Sequence, residues 1–258
     1  MSVSILKIAT FVLIGLAVAG NRLSAAELKM SYNSDWPPYS SGVGSTVRGI
    51  LPDLITEIVE KRMGIKVNHH GYPWKRAQHA VERGNLDAMV TVPTENRLAY
   101  SRSSLNTVYT IDMRPVVATG GAAEKKISAV PMPETLRNLR LCEIFGNGWG
   151  ARFADKYDLA PFMATKVSSC LRMTANGRTD VVVQSLAVAN RGIAANKLGR
   201  KLTVLPTSFG KMKFTFLLSK MSTVDADFIA NFDASLGEMI ANGSYTTLVD
   251  RLRSGTPQ

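Results

Sequence analysis

Between Ile50 and Met63 the apolar residues Ile50, Leu51, Leu54, Ile55, Ile58, Val59 and Met63 recur at helical spacing. Pro52 falls in the first turn and Gly64 just past the last, so the pattern predicts an amphipathic helix with its start and stop in place. Before it, "ELKMSYN" (27–33) alternates like a strand. After it, "IKVNHH" (65–70) reads as a strand, "PWKRAQHAVERG" as a short helix closed by Gly84, and "LDAMVTV" (86–92) as a buried strand. Strands alternating with helices imply a mainly parallel sheet covered on both faces, joined by right-handed crossovers.

The pattern changes at "YTIDMRPVVAT" (109–119), an extended run that ends in "GGAAEKK", which has the composition of a connection. It then restarts: "LRLCEIF" as a strand, "GARFADKY" as a helix, "ATKVSS" as a strand, "CLRMTANG" as a short helix, "DVVVQS" as a strand, "LAVANRGIAANKLG" as a helix and "KLTVLP" as a strand. A second extended run, "KFTFLLSK" (213–220), leads to a helical tail in which Phe228, Phe232, Leu236 and Met239 share a face. Two α/β halves joined by two extended runs suggest a hinge of two crossing strands, with a ligand cleft between the halves.

The N-terminus sets the compartment. Lys7 precedes an apolar run from Ile8 to Ala19, and "LSAA" places Ser24 and Ala26 at small-residue cleavage positions. Residues 1–26 are therefore expected to be a secretory signal peptide, with a periplasmic product starting at Glu27. No cysteine follows the cleavage site to carry a lipid. Removing the peptide takes away Lys7 and Arg22 and no acid, so the formal charge falls from +11 to +9. A basic chain can meet nucleic acid, an anionic surface or an anionic small ligand. Export and the scattered placement of the cations argue against nucleic acid. The remaining length suits two lobes of about a hundred residues.

Cys142 and Cys170 are the only cysteines, and an exported chain with an even count points to a disulfide between them. Two small buried residues is the alternative. His69, His70 and His79 lack recurrent metal-ligand spacings, and there is no "GxSxG", so neither a metal, nor a cofactor, nor a hydrolase triad is indicated.

"SDWPPYSS" (34–41) sets Trp36 and Tyr39 around two prolines, a segment that can neither extend the strand nor start a helix. It reads either as a rigid turn with its rings in the core or as an aromatic lip over a pocket.

Taken in order, "SDWPPYSS", "RGILPDLITEIVEKRMG", "PWKRAQHAVERGNLDAMVTVPTENR", "ANGRTDVVVQS" and "MIANGSYTTLVDRL" resemble the bacterial periplasmic solute-binding proteins of the polar amino acid type, family 3. The resemblance covers nearly all of the chain after residue 26. It implies the type II periplasmic binding protein fold, with lobe 1 formed by 27–112 and 213–258 and lobe 2 by 113–212. It also implies capture of a small molecule by a monomer that delivers it to an inner-membrane ABC permease or a receptor.

Residue by residue, it puts Trp36 and Trp74 at the pocket, where rings give large contact with few rotors to freeze. Arg97 falls at the position that clamps a ligand carboxylate, and Thr94 either adds a hydroxyl or caps the next helix. Arg76 is a further candidate cation beside Trp74. "GNGWG" (146–150), with Asn147, either offers backbone N–H groups to an anion or is a flexible turn.

Three departures bear on the ligand. Val92 stands where many members carry a hydroxyl, and Asn33 stands where an acid often reaches a basic ligand side chain. Ser185 stands where amino acid binders carry the aspartate that holds the ammonium. Serine gives no countercharge, so a carboxylate-bearing ligand without an α-ammonium is expected. A sensory module and a dehydratase acting on cyclic carboxylic acids are the competing functions; a dehydratase needs an acid or base in the cleft, and Glu143 either supplies it or, as a strand residue, faces away.

Overall fold

The computed structural model describes residues 27–254, so the expected signal peptide lies outside the described residues. Strand β1 (Glu27–Asn33) leads into a two-stranded flap, β2 (Asp35–Trp36) and β3 (Ser40–Ser41), and then into helix α1 (Ile50–Ile55). Next come β4 (Lys66–Tyr72), α2 (Trp74–Glu82), β5 (Ala88–Thr91), α3 (Glu95–Tyr100) and β6 (Ser101–Ser103). β1 pairs in parallel with both β4 and β5, the arrangement the alternating pattern predicts.

The extended run becomes β7 (Tyr109–Ala118), followed by α4 (Ala122–Ala129), a 3-10 turn at Pro133–Asn138, β8 (Leu141–Ile144), α5 (Gly148–Lys156), β9 (Phe162–Ala164) and α6 (Val167–Ala175). Then follow β10 (Val181–Ser185), α7 (Leu186–Ala195), β11 (Leu202–Val204), β12 (Gly210–Ser219), α8 (Phe228–Ala241) and α9 (Ser244–Ser254). β8 is parallel to both β9 and β10.

The two long strands join the halves. β12 pairs with β7 through Gly210–Phe214 and with β5 through Thr215–Leu218, while β7 pairs with β10 through Met113–Val117. These three pairings are antiparallel; the flanking ones are parallel, giving the path β4-β1-β5-β12-β7-β10-β8-β9. The core follows the same path. Phe216 on β12 packs on Phe232 of α8 with centroids 4.6 Å apart and the rings tilted by 34°, both fully buried. Each such ring contributes about 1.5–3 kcal/mol by leaving water.

Four local readings are corrected. The predicted first helix is regular only to Ile55; Thr56–Arg62 is π-helical, and Met63 N–H donates to Ile58 O. At the join the Thr56 hydroxyl bonds both Pro52 O and His69 Nε2. "GGAAEKK" is not a plain connection: Ala123 and Ile127, one turn apart, are buried, and the good helix formers between them carry α4. "ATKVSS" is not a strand. Its strand ends at Ala164, and Val167 opens α6, whose buried Cys170, Leu171 and Thr174 keep helical spacing. The last crossover starts at Gly210, three residues before the predicted run. Cys142 on β8 and Cys170 in α6 are joined by a disulfide, with Cα atoms 5.6 Å apart, which fastens the helix to the sheet.

Candidate functional site

A cavity of about 280 Å³ opens where the C-terminal ends of β1, β5, β8 and β10 converge. Placement at strand ends near a sheet crossover is where α/β folds hold ligands. One wall comes from the first half and the crossovers, with Tyr32, Asn33, Trp36, Trp74, Arg97 and Phe214; the opposite wall carries Phe145, Asn147, Lys166 and Gln184.

Arg97 is the one buried charge on this wall, at 4% exposure. It lies in α3, just past the turn of β5, because Thr94 caps that helix by accepting from the Arg97 backbone N–H at 3.4 Å. Four of its five N–H donors have protein partners. Nη1 donates to Val92 O at 2.8 Å, Nε and Nη2 to Gln78 Oε1 at 3.1 and 2.9 Å, and Nη2 to Gly146 O at 3.0 Å. All of these acceptors are neutral. Burial pulls the guanidinium down to about 10, and Arg152 pushes the same way against Tyr100.

Gly146 O also accepts from Trp74 Nε1 at 2.9 Å, so one carbonyl of the second half receives two donors from the first. Arg152 Nη1 adds a bond to Pro93 O at 3.1 Å, and Lys75 lies 5.7 Å from the Phe145 ring centre. The Gly146–Gly148 turn owes its shape to two things. Gly146 has φ +79°, which glycine adopts without strain, and Asn147 caps α5 by accepting from Trp149 N–H. Asn147 Nδ2 in turn donates to Glu143 Oε1 at 2.9 Å. Glu143 is buried against Gly150, and burial raises its carboxyl to about 7.

The expected residues divide. Asn33, Trp36, Trp74, Arg97 and Asn147 line the cavity; Arg76, Thr94 and Ser185 do not. Arg76 stacks on Tyr72 at 4.7 Å and is exposed, and the Thr94 side chain is committed to its cap. Ser185 is 1% exposed and caps α7 by accepting from Val188 N–H. The preceding residue of β10, Gln184, lines the cavity instead, and it is uncharged. Asn33 turns its carbonyl to Asp35 N–H at 3.1 Å, closing its own loop.

Trp36 packs on Tyr39 at 4.5 Å and on Phe214 at 5.6 Å, while Tyr39 is buried at the loop base. "SDWPPYSS" is therefore both things at once: Tyr39 in the core and Trp36 on the cavity. Gln78, Lys166 and Gln184 were missed. Gln184 was one step along a strand already identified, and Lys166 was hidden by the misread boundary of α6. Gln78 had a usable signal, lying one turn after Trp74 on the same helix face.

The family model for bacterial extracellular solute-binding proteins, family 3, matches residues 28–252. A comparison with curated protein sequences finds no match. Among solved structures, a histidine kinase sensor domain with similarity to periplasmic binding proteins superposes with TM-score 0.70 at 17% identity, covering 89% of this chain and 96% of that one. A mutant of the arginine-binding protein from T. maritima gives 0.67 at 20% identity, covering 89% and 96%. An ancestral amino acid-binding protein, a precursor of cyclohexadienyl dehydratase, gives 0.67 at 17%, covering 88% and 95%. These likenesses fix the fold as the type II periplasmic binding protein fold. With the model spanning nearly all of the described residues, the chain belongs to the bacterial extracellular solute-binding proteins, family 3.

Proposed function

We propose that this chain captures a small carboxylate-bearing solute between lobe 1 (27–112 with 213–258) and lobe 2 (113–212), in the periplasm, for an inner-membrane ABC importer. The observation that carries the reading is Arg97, a buried guanidinium on the cavity wall whose protein partners are all neutral. A buried cation is costly unless a negative group meets it, and the second Nη1–H, the one donor not committed to these neutral acceptors, can take one carboxylate oxygen. Gln184, the residue of β10 that lines the cavity next to Ser185, adds no charge either, which favours a ligand without an α-ammonium. Asp35 and Lys166, the other charged lining residues, are exposed.

A sensory role is the second reading, favoured by the kinase sensor domain that shares the fold. Against turnover by Glu143 stands its position. The carboxyl is tied to Ile144 N–H and Asn147 and does not reach the cavity wall. A thermal-shift screen of protein 27–258 against amino acids, organic acids, polyamines and sugars tests the function. A solute at a hundred times its Kd adds about 2.7 kcal/mol of stability. Organic acids are expected to be the hits; a response confined to sugars or polyamines refutes the reading.

A further inference from the structure

Arg97 is gripped from the side by a single atom. Gln78 Oε1 accepts from Nε at 3.1 Å and from Nη2 at 2.9 Å, the seat a carboxylate oxygen takes in an arginine–glutamate pair. An amide gives that geometry without the charge. The electrostatic neighbours of Arg97 are Tyr100 and Arg152, and neither is a carboxylate. The placement is exact on the far side too: a Cβ built on Gly146 would meet Gln78 Nε2 at 3.2 Å, so the amide lies against the turn of the opposite half. Trp74, on the same face of α2, holds its ring 5.3 Å from the Arg97 guanidinium. Trp36, Phe145 and Phe214 supply further rings to the wall.

We propose that Gln78 is a positioning residue that sets the charge preference of this cavity: it fixes the Arg97 guanidinium while leaving its charge to an anionic ligand, so the site selects a ring-bearing monocarboxylate over the corresponding neutral amide. The inference rests on the carboxylate reading above and names its ligand class. A glutamate at position 78 would keep both hydrogen bonds and cancel the charge within the protein. Arg97 would then be just as well placed and no longer need an anion.

The test is calorimetric titration of protein 27–258, as wild type, Gln78→Glu and Gln78→Met, with phenylacetate and with phenylacetamide as probes. Wild type is expected to prefer phenylacetate by about tenfold or more, the scale of one charge-assisted bond. In Gln78→Glu the preference collapses through weaker phenylacetate binding, while phenylacetamide binding holds. Gln78→Met, which loses the acceptor, weakens both. A merely structural glutamine would leave the ratio of the two probes unmoved in Gln78→Glu, and that result overturns the proposal even where Arg97-dependent carboxylate binding persists. Wild-type protein that binds neither probe overturns the ligand class named here; the carboxylate reading itself is judged separately, by the organic acids of the wider screen.

Discussion

Gly148, in the second half, lies directly against Thr94 and Arg97 of the first, and substituting it perturbs closure with little effect on either half. A Cβ there would lie 2.5 Å from Thr94 Cγ2 and 2.9 Å from Arg97 Nη1. Carbon atoms in ordinary contact are about 3.5–4.0 Å apart, so in Gly148→Ala the halves must part by about 1 Å at this point. Thr94 cannot turn aside freely, because its hydroxyl caps α3, a bond worth about 1 kcal/mol. Parting by that distance stretches the bonds from Trp74 and Arg97 to Gly146 O and from Arg152 to Pro93 O, all now 2.9–3.1 Å, beyond useful range. Overpacking of this kind costs about 1–3 kcal/mol. That lowers the closed-to-open ratio, and ligand affinity with it, by roughly 5- to 150-fold. Alanine suits the start of α5, so the melting temperature should not fall. Small-angle scattering should show a more open molecule than wild type, and calorimetry a matching loss of affinity. A variant that scatters and binds like wild type would show that the Gly146–Gly148 turn does not press on Thr94 and Arg97 in solution.

Removing the disulfide with Cys142→Ser and Cys170→Ser, which are 28 residues apart, should cost about 3.5 kcal/mol by loop-closure reasoning; chemical denaturation with and without reductant measures it, and an unchanged midpoint argues against the bond. Glu143 ionises at about 7 in the fold against 4.5 ordinarily, so the folded state holds the extra proton and stability falls as pH rises from about 4.5 to about 7, then levels. The full swing is about 3 kcal/mol. Because burial lowers His69 and works in the opposite sense as pH falls, the quantity to follow is the wild-type minus Glu143→Gln difference in melting temperature across that range; a difference independent of pH contradicts the assignment. Trp74→Phe keeps a ring but removes the Nε1 donor to Gly146 O, a loss of about 0.5–1.5 kcal/mol in ligand affinity by calorimetry; an unchanged affinity would show that this bond does not contribute to closure.

Much of the fold is legible because it rests on long periodic segments. The β1–α1–β4–α2–β5 order and the two crossover strands came from spacing alone, since one buried face dictates each pattern. What failed was local. The two glycines at 120 and 121 masked the helix that follows them, and the short β9 ran into α6 with no breaker between. The π-helical stretch has no periodic signature, because its buried Ile58 and Val59 fit a regular helix equally well. In the site, Arg97, Trp36 and Trp74 were singled out by a resemblance in sequence order, and all three line the cavity. Ser185 does not line the cavity while Gln184 does, since a strand's alternation decides which neighbour faces it and the last residue turns to cap the helix. Gln78, Lys166 and Gln184 depend on how the halves meet. That is set by contacts between distant segments, such as Gly146 O with Trp74 and Arg97, which no single stretch of sequence carries.

The central claim is that Arg97 is the charge that holds the ligand, and the most direct measurement is calorimetric titration of protein 27–258 and its Arg97→Ala variant with the best solute from the screen. The wild type should bind a carboxylate, and the variant should lose about 2–5 kcal/mol because the ligand anion is left buried and unpaired, a drop of about thirtyfold to several thousandfold. Tight binding of an ordinary α-amino acid, undiminished in Arg97→Ala, would contradict the account.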